Sequence, residues 1–108
     1  MANLTRKCID WTKTARKLKL LRERNERLRL NVCRALNLHK GNCKGDCDAC
    51  SLEMDNHISQ SELASVFGYS ASIIANWENG KSKPSIEDLI FYSQLCGLEL
   101  FDVLIFSE

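Results

Sequence analysis

The chain has 108 residues, 44% hydrophobic and 27% charged, with a formal net charge of +1. That length suits one domain around one core, and the balance is that of an ordinary globular protein. No apolar stretch approaches the roughly 18 residues of a membrane span, and the polar, basic N-terminus lacks the apolar run of a secretory signal, so a cytoplasmic location without membrane contact is expected.

The small net charge hides a division. Residues 1–40 carry twelve Lys and Arg against three acids, a surplus of nine positive charges; residues 41–108 carry three against eleven, a deficit of eight. A basic first third suits a polyanionic partner, or equally a solvated, salt-bridged helix.

Residues 1–11 read as an N-terminal arm, and Cys8 within it has no partner at a suitable spacing. Residues 12–37 contain no Gly or Pro, and Leu18, Leu21, Asn25, Leu28, Val32 and Ala35 recur at spacings of three and four. This is one apolar stripe on a helix, interrupted at Asn25 and capped at its start by Thr12 or Thr14. Whether the helix runs unbroken past Asn25 is left open by the pattern.

Residues 39–57 change character, with Gly41, Gly45 and alternating Asp and Cys marking a compact, turn-rich segment. Cys43, Cys47 and Cys50 are spaced C-x3-C-x2-C, and Cys33 lies ten residues earlier. Clustered cysteines without an export signal point to a metal more than to disulfides. Four thiolates close a tetrahedral Zn2+ site, which makes such a site structural; a 4Fe–4S cluster also takes four cysteines and would make the protein a redox or iron sensor. Unligated thiols in a loop are the plainer alternative. His39 could replace Cys33 as a ligand, and His57 reads as a surface residue.

The segment from Gln60 to Gly80 carries the strongest pattern. Leu63, Phe67, Tyr69, Ile74 and Trp77 are placed to fill the wedge between two short, steeply crossed helices. Only a small side chain such as Ala64 fits where the helix backbones approach. Gly68 can take the positive φ that ends the first helix. Ser59 with Glu62 reads as a capping box and Ser70 as the N-cap of the second helix. Together these spacings describe a helix-turn-helix.

Residues 58–84, ISQSELASVFGYSASIIANWENGKSKP, resemble the Xre/Cro-type, lambda-repressor-like family of helix-turn-helix transcriptional regulators. SIEDLIFYSQLCGLELFDVL is similar to that family's fourth and fifth helices, and ARKLKLLRERN at 15–25 to its first. The resemblance implies an all-α, five-helix DNA-binding domain over residues 12–108, interrupted at 26–57 by a helix extension and the Cys-rich knuckle. In this reading helix one runs past the domain body, carrying Arg24, Arg27, Arg29 and Arg34 toward DNA phosphates or a partner.

The resemblance also implies site roles. The second motif helix, about Ala71 to Asn79, enters the major groove of duplex DNA, with Ala71, Ser72 and Asn76 at base-reading places. Asn76 is the strongest candidate for a specific contact, since Asn bonds adenine in a bidentate manner. Gln60, with Asn79, Lys81 and Lys83 of the following loop, falls to the phosphates, and Ser70 is counted among the DNA-binding residues. Arg22 and Glu78 are expected to pair as scaffold, and Trp77 and Cys96 to lie in the core, Cys96 in the fifth helix. A homodimer on a palindromic site is expected, helped by LFDVLIF at 100–106. The alternatives are an iron–sulfur sensor, or an antitoxin or other protein-interaction module on the same fold. No enzyme is expected, since no nucleophile–base or paired-carboxylate constellation is apparent.

Overall fold

A computed structural model of the chain describes residues 8–38 and 57–107. Their elements are β1 (Cys8–Ile9), α1 (Trp11–Arg24), α2 (Glu26–Leu36), α3 (Gln60–Phe67), α4 (Ala71–Glu78), α5 (Ile86–Cys96), α6 (Leu100–Val103) and β2 (Phe106–Ser107). The described residues are mostly helical, as expected, but with six helices among them in place of five.

The extra helix comes from Asn25. It adopts an extended conformation with φ −77° and ψ 119°. Its N–H donates to the Leu21 carbonyl at 2.9 Å, ending α1. Its side-chain oxygen accepts the Leu28 N–H at 2.8 Å, starting α2. A short polar side chain that can bond local backbone favours a cap over a helix interior. The expected single, extended first helix is thus corrected to two helices.

The break changes where the second half goes. α2 folds back on α5 and α3, and Leu28 and Val32 are fully buried beside Ile58, Leu63, Leu89 and Leu95. The Asn31 side-chain N–H donates to the Leu95 carbonyl at 2.9 Å, tying α2 to the end of α5. Residues 26–36 are therefore part of the domain body and do not extend past it.

The N-terminal cap is also corrected. Asp10 accepts the Lys13 N–H at 3.0 Å and caps α1, rather than Thr12 or Thr14. Thr14 is buried and turned inward, where its hydroxyl donates to the Ile105 carbonyl at 3.4 Å and accepts the Ile105 N–H at 3.0 Å. Beside it, β1 pairs antiparallel with β2, Cys8 opposite Ser107 and Ile9 opposite Phe106. Residues 8–10 of the expected arm are therefore fastened to the C-terminal segment.

The core lies where α1, α2, α3, α4 and α5 meet. Tyr92 is buried and its hydroxyl donates to the Leu18 carbonyl at 2.7 Å, pinning α1 over α5. Burial raises its phenol well above the ordinary value. Cys96 is buried as expected, at the end of α5. Burial pushes its thiol up to about 12, which keeps it a neutral, inert core group.

Candidate nucleic-acid interface

α3 begins with the expected capping box. The Glu62 N–H donates to Ser59 Oγ at 3.1 Å, and the Ser59 N–H donates to Glu62 Oε1 at 2.8 Å. The helix ends at Gly68 with φ 77°. A Cβ there would meet nothing within 4 Å. The glycine is thus required by its backbone angle, not by lack of room. Ala64 is 1% exposed and lets α4 cross close above α3.

α4 buries Ile74 and Trp77 and turns its other side outward. Phe67 sits among the Tyr69, Trp77, Phe91 and Tyr92 rings at centroid distances of 5.8, 5.4, 4.9 and 6.0 Å. This aromatic cluster sets the angle of the two motif helices. Ser72 is exposed, and Ala71 and Asn76 are half-buried. Ser70 occupies the N-cap position, but its hydroxyl does not cap the helix; it bonds Ser72 Oγ at 2.9 Å.

The loop after α4 is pinned to the same helix. The Asn76 carbonyl accepts the Lys81 N–H at 2.9 Å and the Ser82 N–H at 3.2 Å. Gly80 turns the chain with φ 73°. Asn79, Lys81 and Lys83 stand exposed. The Lys83 ammonium lies 5.4 Å from the centre of the Trp11 ring, which brings the start of α1 beside this loop.

Behind α4 the expected ion pair is present and bidentate. Arg22 Nε and Nη2 donate to Glu78 Oε2 and Oε1 at 2.7 and 2.9 Å, and Nη1 donates to the Ile58 carbonyl at 2.8 Å. Burial opposes the charge on Arg22, but the bonds to Glu78 outweigh it and hold the guanidinium above its ordinary value. Gln60 joins the array, its Nε2 donating to Glu78 Oε1 at 3.0 Å. One bond thereby orients the Gln60 amide, and its second N–H is left for an outside acceptor. α1, α3 and α4 are fixed together at the edge of the candidate reading face.

Gln60, Ser70, Ala71, Ser72, Asn76, Asn79, Lys81 and Lys83 all belong to α3, α4 or the turn and loop that adjoin α4. Two arginines of α2, Arg27 and Arg29, are engaged elsewhere. Arg29 is 2% exposed, and the stem of Arg27 lies over Gly97, its Cγ 3.2 Å from where a Cβ would stand. What sequence reasoning missed is the approach of Trp11, Thr12 and Arg16 to the α4 loop. These residues lie far apart along the chain, and no local pattern signals their meeting.

Among the proposed metal ligands, Cys33 lies in the last turn of α2 and is 8% exposed. Cys43, Cys47 and Cys50, and the alternative ligand His39, lie outside the described residues. Among the described residues no group of three or more His, Cys, Asp or Glu side chains gathers to hold a metal. None of the described helices is long and apolar enough to cross a membrane.

Residues 53–103 match a family model described as helix-turn-helix. Neither the curated proteins nor the solved structures contain a match to the chain.

Proposed function

Residues 53–103 belong to the lambda-repressor-like helix-turn-helix family of DNA-binding regulators, and from that premise we propose that this chain is a sequence-specific transcriptional regulator that reads DNA with α4. The observation that carries the reading is the placement of α4. It is locked from behind by Arg22, Glu78 and Gln60, while Ser72 and Asn76 remain on its outer side. A rigid helix of this kind can present the same few atoms to a base pair each time, which direct readout demands.

Asn76 reads adenine, Ala71 offers a methyl to thymine, and Gln60, Ser70, Asn79, Lys81 and Lys83 hold phosphates. With so few donors on α4, part of the selectivity comes from DNA shape. Selection of bound sequences from a randomised duplex pool should enrich one motif. Asn76→Ala should relax preference at one base pair by roughly 5- to 150-fold, from the 1–3 kcal/mol of a bidentate contact. A pool that fails to enrich would favour a protein-interaction module, such as an antitoxin.

Two finer features belong to the same proposal. Phe101 is 72% exposed and its ring lies 6.0 Å from that of Phe106, and this patch joins two copies for a palindromic site. Sedimentation of Phe101→Ser against the parent chain tests it. Cys33, Cys43, Cys47 and Cys50 hold a structural Zn2+. The donor set fits, since four cysteine thiolates close a tetrahedral Zn2+ site, and Cys33 stands in the last turn of α2. Zinc supplies no chemistry beyond cross-linking there. Elemental analysis should find one zinc per chain in a colourless anaerobic sample, whereas a brown sample absorbing near 400 nm would assign iron–sulfur and a sensing role.

A further inference from the structure

The cations on the outside of α1 are not used by the core. Arg16 lines a polar groove with Thr12 on one side and Glu78, Asn79 and Gly80 on the other. The same Arg16 lines a neighbouring groove with Lys13, Lys17, Leu20 and Ile105. Lys83, over the Trp11 ring, closes the line from the other end. Lys13, Arg16 and Lys83 are exposed and Lys17 is half-buried.

Two acids face this line. Glu78 has both carboxylate oxygens bonded to Arg22 and Gln60, so it does not neutralise Arg16. Asp10 caps the Lys13 backbone N–H. Among the described residues, Lys13, Arg16, Lys17 and Lys83 have no ion pair. Four cations against one open carboxylate make a strip of positive potential that runs into the loop after α4. A guanidinium at its centre suits bidentate bonding to a phosphate.

We propose that the first two turns of α1 form a second phosphate-binding track, joined through Arg16 to the Asn79–Lys83 loop, that holds the DNA backbone flanking the groove read by α4. This rests on the DNA-binding reading of α4. It moves the backbone contacts of the basic first third from α2 to the opposite end of α1.

The test measures binding of the full chain to a generic duplex of about 30 base pairs across a salt series, where each phosphate contact contributes about 0.9 to the slope of log K against log salt. Arg16→Gln with Lys17→Gln should lower the slope by about 1.8. The charge-conserving pair Arg16→Lys with Lys17→Arg should keep the parent slope. Thermal melts that coincide with the parent would show both variants folded. A folded Gln variant with the parent slope overturns the track and leaves the α4 reading standing. A parent chain that does not bind duplex even at low salt overturns both.

Discussion

α1 and α2 have similar compositions and opposite fates. Both are rich in Leu and Arg, and one residue separates them. α1 carries Lys13 and Arg16 on its outside, beside the loop that follows α4. α2 buries Arg29 and lays Arg27 over the turn at Gly97. Density of positive charge along a sequence therefore does not locate the surface that meets a polyanion. The register of the apolar residues does, because Leu28 and Val32 must reach the core and Arg29, between them, is buried with them.

The comparison can be broken or sharpened in four ways. The largest effect is expected from Glu78→Ala, which leaves Arg22 buried without its carboxylate at a cost of about 3–5 kcal/mol. Thermal unfolding should fall by well over 10 °C. A loss of only a few degrees would mean that α1 is not held on α4 by this pair. Next is Leu28→Ala, expected to cost about 2–5 kcal/mol because a fully buried side chain is removed. Denaturant unfolding reads it, and a cost well under 1 kcal/mol would return α2 to the status of a projecting extension.

Asn25→Ala should cost about 1 kcal/mol through loss of the α2 N-cap. A stabilised variant with increased helical circular dichroism would instead show that the two helices fuse. The smallest effect concerns Arg27. Arg27→Ala should leave the salt dependence of DNA binding unchanged, while Lys81→Ala should lower its slope by about 0.9. Equal losses from the two would place α2 against DNA after all.

Much of the motif was legible because its signals are local. Ser59 and Glu62 sit three residues apart and cap α3; Gly68 is required by one backbone angle; Ala64 and Trp77 have the sizes their places need. The pairing of Arg22 with Glu78 spans 56 residues and was legible only through the family resemblance. The C-terminal strand was not legible, since two-residue strands such as β1 and β2 carry no periodicity. The cap of α1 was misplaced because Asp10, Thr12 and Thr14 are all competent caps. Only the bonds of Thr14 to Ile105, 91 residues away, decide among them.

By itself the sequence determined the helix-turn-helix of α3 and α4, the capping box of α3 and the apolar wedge, because each depends on neighbours within a turn or two. The tertiary structure decided the rest: that α2 turns inward, that β1 pairs with β2, and that Arg16 and Trp11 meet the two ends of the loop after α4. These outcomes depend on which surfaces find each other between segments far apart in the sequence. Burial of Leu18, Leu28 and Tyr92 in a common core selects the one arrangement that satisfies them all.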